Sequence, residues 1–265
     1  MKPNIFNKFI LTFEKTGKTT LSSIRKVGRF SIFIFQTVRH SITPRFYPSL
    51  ILKQIIEIGF YSLPVIFMTA IFTGGVLALQ TYAGASRFTA EATVPTVVVL
   101  SITRELGPVL AGLMVAGRVG AAMAAEIGTM KVTEQIEALK TLSSNPFKYL
   151  IAPRIIASTI MLPVLVVVCD IIGVMGGYLA SVYSLGFSGG PYLNKTFITL
   201  ETEDVTSGLI KAAVFGFIIA LMGCYHGYHS KGGAEGVGKA TTNAVVHASI
   251  LVLIFNYLLT EIFFV

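Results

Sequence analysis

The chain contains long apolar stretches that carry no charged residue. No Asp, Glu, Lys or Arg occurs from Ile58 to Ser86, from Ala212 to Ser230 or from Ala240 to Thr260, and Asp170 alone interrupts the stretch from Ile155 to Asn194. A helix of about 20 apolar residues is long enough to cross the hydrocarbon core of a bilayer. The pattern therefore predicts an all-α, polytopic membrane protein.

Five transmembrane helices over residues 51–265 account for this pattern. The second contains Arg104, Glu105 and Arg118 and would fail a strict hydropathy filter. The predicted spans run approximately from Ile58 to Leu79, from Thr96 to Glu126, from the end of a loop at Arg154 to Val182, from Gly208 to Tyr228 and from Thr242 to Phe264.

The charges predict how the spans are oriented. Cytoplasmic loops are rich in Lys and Arg, and the loop Gly128–Arg154 has four cations against two acids, whereas Ser184–Ser207 has three acids against one lysine. Nine of the 21 Lys and Arg residues precede residue 50. We therefore expect a cytoplasmic N-terminus and a C-terminus on the outer side of the membrane, with basic residues that meet anionic lipid rather than nucleic acid.

Composition agrees with a membrane protein. The chain is 53% hydrophobic and 13% charged, with a mean hydropathy of +0.74, whereas a soluble globular protein carries about 25% charged residues. Cys169 and Cys224 both lie in apolar stretches, so no disulfide framework is expected.

Residues 1–50 form a basic arm with apolar side chains at helical spacing. Ile5, Phe6, Phe9, Ile10 and Phe13 recur on one side, with lysines around them. A second apolar stretch, residues 30–38, is too short to cross a bilayer. We interpret the arm as an amphipathic helical segment in the membrane interface, and the alternative is a frayed basic tail.

Small residues repeat every four positions along the second predicted span. They are Gly112, Ala116, Gly120 and Ala124. Such a face lets helix backbones approach closely in lipid. It serves either packing within one subunit or a dimer contact, and the sequence leaves both open.

Four charged residues lie where an ionised side chain is costly: Glu105, Arg118, Asp170 and Lys211. One interpretation is a structural ion pair, for example of Lys211 with Glu105 or Asp170. The other is contact with a charged substrate in a cavity, and the two cations are also near enough to span ends to reach the interface. Gly107-Pro108 is expected to break or kink the second span and to free backbone groups that need a polar neighbour.

A short cytoplasmic helix is predicted between residues 130 and 145. Thr133 can cap it, Glu134 lies in its first turn and Lys140 lies near its end. Its apolar stripe consists of Val132, Ile136 and Leu139. Such a stripe fits the groove of another protein or the membrane surface.

Motifs for catalysis or a cofactor are weak. Gly17–Thr20 looks like the end of a phosphate-binding loop, but Thr12 stands where the first glycine belongs. Cys224, His226 and His229 lie at a span end, where such side chains commonly reach headgroups, which disfavours a metal. We predict no catalytic, cofactor-binding or metal-binding residues.

One long motif resembles a known family. The stretch Glu105–Leu142 reads ELGPVLAGLMVAGRVGAAMAAEIGTMKVTEQIEALKTL and is similar to the MlaE (YrbE-type) permeases, the membrane subunits of ABC transporters that move phospholipids or related lipids. The flanking segments NPFKYLIAPR, GLIKAAVFG and KATTNAVVHASILVL agree with it. The likeness covers most of the chain from Pro95 onward, and the basic arm matches in character only.

The resemblance implies partners and roles. It implies a homodimer in the inner membrane, an ABC ATPase subunit on the cytoplasmic side and an MCE-domain lipid-binding protein on the periplasmic side. It puts Glu105 and Lys211 near a lipid pathway, whereas Asn256 stands where some relatives carry an acid. It identifies the cytoplasmic helix as a coupling helix, with candidate residues Glu134, Gln135, Ile136, Glu137 and Leu139.

A different class of transporter is the alternative. Intramembrane carboxylates often serve proton relays, so Glu105 and Asp170 would be the titrating groups of a proton-coupled secondary transporter. Only the ABC hypothesis predicts a dependence on ATP.

Overall fold

The computed structural model describes residues 5–42 and 47–264, and this part of the chain contains helices and no strand, as the sequence predicts. The α-helices are α1 (Ile5–Ile42), α2 (Pro48–Gly59), α3 (Leu63–Ala85), α4 (Val94–Ser101), α5 (Gly107–Val115), α6 (Ala121–Val132), α7 (Gln135–Thr141), α8 (Ala152–Leu185), α9 (Gly189–Thr199), α10 (Thr202–Tyr228) and α11 (Gly233–Phe264). Short 3-10 or π-helical turns join several of them end to end.

Five of the described helical stretches are long and apolar enough to cross a membrane, which confirms the predicted number. They are Pro48–Phe88, Glu91–Val132, Phe147–Leu185, Thr202–Tyr228 and Gly233–Phe264, called here the first to fifth spans. Each predicted span lies inside one of them. The helices extend further because polar residues continue the helix beyond the apolar stretch that reveals it.

Residues 5–42 of the basic arm form a single helix, α1, where the sequence indicated two separate stretches. Leu21, Ile24 and Phe35 are between 62% and 68% exposed. Phe33, in contrast, is 3% exposed and its ring lies 5.4 Å from that of Phe147 and 5.3 Å from that of Tyr225. The end of α1 is thus anchored on the third and fourth spans, while other apolar side chains stay exposed.

The first and third spans meet backbone to backbone. A Cβ atom on Gly74 would lie 1.8 Å from the carbonyl oxygen of Gly173, and one on Gly176 would lie 2.2 Å from that of Ile71. Because lipid tails are as apolar as the helices, such close packing is the main source of helix association in a membrane. The first and third spans therefore tolerate only glycine at these crossings.

The small-residue face of the second span packs within the subunit. Ala116 and Ala124 are fully buried, and a Cβ atom on Gly112 would touch Phe215 of α10 and Val252 of α11. The approach is reciprocal, since a Cβ atom on Gly223 would lie 2.9 Å from the carbonyl oxygen of Gly120. These residues of the second span therefore pack on α10 and α11 of the same chain.

Candidate functional site

Pro108 creates an unpaired carbonyl group in the second span. Proline has no amide hydrogen to donate to the carbonyl group four residues earlier, which here belongs to Arg104. The chain forms a π-helical turn over Ile102–Leu106 and continues as α5, so Gly107-Pro108 modifies the helix without ending it. Such turns are frequent at functional sites.

Lys211 fills the gap that Pro108 leaves. Its Nζ donates to the carbonyl oxygen of Arg104 at 2.9 Å and lies 2.7 Å from Glu105 Oε1. Gly208, one turn earlier on α10, allows this approach because a Cβ atom there would lie 2.5 Å from the carbonyl oxygen of Thr103. The prediction that freed backbone groups find a polar neighbour is therefore correct.

The fifth span completes a polar cluster around Glu105. Asn256 Nδ2 donates to Glu105 Oε2 at 2.8 Å, and the Thr260 hydroxyl lies 2.8 Å from both Glu105 Oε1 and Lys211 Nζ. The Lys211 side chain is 0% exposed and that of Glu105 is 35% exposed. We call Glu105, Lys211, Asn256 and Thr260 the Glu105 cluster. It joins the second, fourth and fifth spans, and the complete burial of Lys211 excludes the possibility that it reaches the interface.

Asp170 lies apart from this cluster. Its Oδ1 is packed against Gly107, where a Cβ atom would come within 1.8 Å of it. Glu105 and Gly107 lie about 200° apart around the helix, so Asp170 contacts one face of the second span and Lys211 the other. The structure thus selects Glu105 as the partner of Lys211 and does not bring the two carboxylates together.

Arg118 braces the first span. Its guanidinium donates to the Ser62 hydroxyl at 2.9–3.0 Å and to the carbonyl oxygens of Glu57 and Ile58 at 2.5 and 3.3 Å. These carbonyls lie at the end of α2, where a 3-10 turn, Phe60–Ser62, leads into α3. Arg118 therefore ties this bend to the second span.

Two further ion pairs join neighbouring spans and were not predicted. Arg104 Nε lies 2.6 Å from Asp204 Oδ1, and the Asp204 side chain is 1% exposed. Arg154 lies 2.7 Å from Glu126 Oε2. The sequence signal was present, because each pair joins a cation and an acid on different spans, but the pairing depends on which spans are neighbours.

The predicted cytoplasmic helix is α7. Thr133 does not cap it; the Thr133 hydroxyl donates to the carbonyl oxygen of Thr129, and Glu134 precedes α7 with a left-handed φ of 61°. Ile136 is 0% exposed and Leu139 packs against the same core. The apolar stripe therefore anchors α7 on its own chain.

The outer side of α7 carries different residues. Glu134 and Gln135 are exposed, and Leu142, which directly follows α7, is 75% exposed. Glu137 is paired with Lys131 at the end of α6, and this hydrogen bond is the main reason why its pKa lies below the ordinary value of 4.5. Among the described residues, no three His, Cys, Asp or Glu side chains group as metal ligands would.

Known proteins resemble the chain along most of its length. Residues 51–262 match the family model described as Permease MlaE. A probable ABC transporter permease protein of Rickettsia felis is 62% identical over 94% of this chain and 96% of its own length. The intermembrane phospholipid transport system permease protein MlaE of Haemophilus influenzae is 36% identical over 94% of this chain and 95% of its own length. With a family match over most of its residues, this chain is a member of the MlaE permease family.

Proposed function

We propose that this chain is the membrane-spanning subunit of an ABC-type transporter that moves phospholipids or related lipids between the inner membrane and a periplasmic MCE-domain partner. The Glu105 cluster is the observation that carries the proposal. Intramembrane ionisable residues are costly and mark substrate pathways in membrane proteins. The Haemophilus relative, whose name states phospholipid transport, supports this choice of cargo.

The cluster offers a partner to the amine of a zwitterionic headgroup. Glu105 is 35% exposed and its carboxylate can accept from an amine, whereas the ammonium of Lys211 is held behind it. Since the four residues come from three spans, a shift of one span would change their contacts. The cluster is thus suited to bind a headgroup in one arrangement of the spans and to release it in another.

The energy for such a shift would enter at α7. The buried Ile136 and the Glu137–Lys131 pair fix α7 to the end of α6, and the second span is helical from there to Glu105, a distance of about 39 Å at 1.5 Å per residue. An ABC ATPase subunit that pushes on the exposed residues Glu134, Gln135 and Leu142 would therefore act on the cluster through this helix.

The remaining features follow from the same assignment. We infer a homodimer, a cytoplasmic N-terminus with α1 in the membrane interface, and a periplasmic C-terminus. The orientation rests on the cationic loop that contains α7 and on the acidic residues Glu201, Glu203 and Asp204 at the opposite ends of the spans.

Transport in proteoliposomes tests the proposal. Vesicles that contain this protein, its ATPase subunit and a fluorescent phospholipid are expected to transfer the lipid to an MCE-domain acceptor only when ATP is present. Glu105→Gln and Lys211→Met should lower transfer, whereas Lys195→Ala, at an exposed lysine, should not. Transfer driven by a proton gradient without the ATPase would overturn the ABC assignment in favour of the proton-coupled alternative. Unchanged transfer in both cluster variants would indicate that the protein only anchors its partners in the membrane.

The coupling helix has its own test. Glu134→Arg should weaken the stimulation of ATPase activity by the permease, while Glu91→Arg, at an exposed acid near the opposite end of the second span, should leave it intact. Normal ATPase binding and turnover with Glu134→Arg would show that α7 is not the contact.

A further inference from the structure

A cavity of about 390 Å³ lies between the second span, the third span and α9. Val99 and Thr103 line it from the second span, Val167 and Val174 from the third span, and Leu193 and Phe197 from α9. Its size is near the lower end of the roughly 300–1,000 Å³ of typical ligand sites. We call it the α9 cavity.

The walls of the α9 cavity present almost no polar surface to an occupant. The hydroxyl of Thr103 donates to the carbonyl oxygen of Val99 at 2.9 Å, and that of Thr196 donates to the carbonyl oxygen of Tyr192 at 3.0 Å. Both hydroxyls are thereby paired within their own helices. Water needs several polar partners to remain in a cavity, so this one favours hydrocarbon.

Asp170 is the acidic residue of the lining. Its Oδ1 is buried, has no hydrogen-bond partner among the described residues, and is wedged into the space left by the missing side chain of Gly107. That oxygen faces the backbone of the second span, so it is badly placed to hold a headgroup. Oδ1 of Asp170 therefore belongs to the wall between the α9 cavity and the second span.

The mouth of the cavity opens on the outer surface of the bundle. Ile171 and Phe197, which both belong to the lining, are 64% and 71% exposed. Ile171 is close to the middle of the third span, Phe147–Leu185, where a bilayer presents acyl chains. The exposed apolar surface is therefore continuous with the apolar interior of the cavity.

We propose that the α9 cavity binds one acyl chain of a bilayer lipid, whose second chain and headgroup stay outside. The site is distinct from the Glu105 cluster, because the second span lies between them: Glu105 contacts α10 and α11, while Gly107 contacts Asp170 of α8. This inference does not rest on the transport function.

Photolabelling of the purified full-length protein tests the site. The probe is phosphatidylglycerol with a diazirine near the end of one acyl chain, titrated in mild detergent, and labelled peptides are mapped by mass spectrometry. Saturable labelling is expected in the peptides of residues 167–178 and 193–200. Val174→Trp and Leu193→Trp, which fill the cavity from opposite walls, should each reduce it about tenfold, because an occupied pocket excludes its ligand.

Val164→Trp is the matched control. Val164 is 49% exposed on the same helix and does not line the cavity, so labelling should persist. Gel filtration shows whether each cavity variant folds. Because there are two cavity variants, the test still gives a result if one of them fails to fold. Labelling that never saturates, that is equal in all variants, or that is replaced by cross-links between two copies at these peptides would overturn the proposal. None of these outcomes requires ATP or a partner, so failure here would leave the proposed transport function untouched.

Discussion

Lys211 and Glu105 form an ion pair of 2.7 Å in which the lysine side chain is 0% exposed and the glutamate side chain is 35% exposed. The asymmetry matters, since the ammonium has no access to solvent and depends on protein oxygens for all its hydrogen bonds. The carbonyl oxygen of Arg104, Glu105 Oε1 and the Thr260 hydroxyl supply them. Three donors and three acceptors satisfy the buried charge.

Lys211→Met is expected to destabilise the protein by about 2–3 kcal/mol, below the ~3–5 kcal/mol typical of a fully buried pair because Glu105 remains partly exposed. Thermal unfolding in detergent measures the change. Glu105→Gln/Lys211→Met, which removes both charges, should recover much of the loss. If the loss of stability in the double variant equals the sum of the losses in the two single variants, the two groups are not coupled.

Moving the carboxylate across the cluster is a second test. Asn256 Nδ2 lies 2.8 Å from Glu105 Oε2, so Asn256→Asp introduces an acid within the same group of residues. In a Glu105→Gln background it should restore about 1–2 kcal/mol by giving Lys211 a counter-ion, a coupling of the size found between contacting residues. In the native background the same substitution should destabilise, since two acids would then share one cation. Thermal unfolding of the native protein, the two single variants and the double variant measures these changes. If Asn256→Asp changes the stability in the same direction in both backgrounds, the introduced acid does not act as a counter-ion of Lys211.

The spans themselves were readable from the sequence, whereas the contacts between them were not. Uncharged stretches reveal each span because lipid imposes one rule on every exposed side chain. Pairing depends on which faces meet, so Lys211 had two candidate acids, Glu105 and Asp170, and the correct one emerged only from the packing of α10 on the π-helical turn.

Residues at the ends of helices were the hardest to interpret. The sequence suggested that Ile136 is free to bind a partner. Amphipathic spacing shows that one side of a helix is apolar, but it does not show which surface covers that side. Thr133 looked like a cap, but its hydroxyl bonds back to Thr129. The Gly74–Gly173 crossing was also missed, since a glycine at a close contact and a glycine facing lipid look alike in one sequence.

Neighbouring glycines of the first span should respond differently to alanine. A Cβ atom on Gly74 would lie 1.8 Å from the carbonyl oxygen of Gly173, whereas on Gly75 the nearest atoms are 3.7 Å away. Gly74→Ala must separate the first and third spans and should cost about 1–3 kcal/mol or more, as overpacking does. Gly75→Ala should be neutral or slightly stabilising because alanine favours helix. Equal unfolding midpoints for the two variants would argue against the backbone crossing.

Arg118→Lys should loosen the bend between α2 and α3 even though the charge is kept. Lysine has a single nitrogen and cannot reproduce the planar fork that reaches both Ser62 and the carbonyl oxygen of Glu57. We expect faster amide hydrogen exchange over residues 57–63 and a loss of about 1–3 kcal/mol from unpaired buried groups. Ser62→Ala, which leaves the carbonyl contacts in place, should produce a smaller change in the same segment.

The anchoring of α7 should depend on pH through Glu137. The hydrogen bond from Lys131 lowers the pKa of Glu137 below its ordinary value of 4.5. A carboxylate whose pKa is lowered by folding stabilises the folded state above the ordinary pKa, and this contribution disappears as the pH falls through the lowered value. Amide exchange in α7, corrected for its intrinsic pH dependence, should therefore stay constant from neutral pH down to pH 5 and accelerate below 4.5. Glu137→Gln should exchange faster at neutral pH and lose the acid step, whereas Glu134→Gln, at an exposed neighbour, should keep it. An acid step that survives in Glu137→Gln would mean that another group holds α7 against the second span, and the route proposed for the ATPase's push would then begin elsewhere.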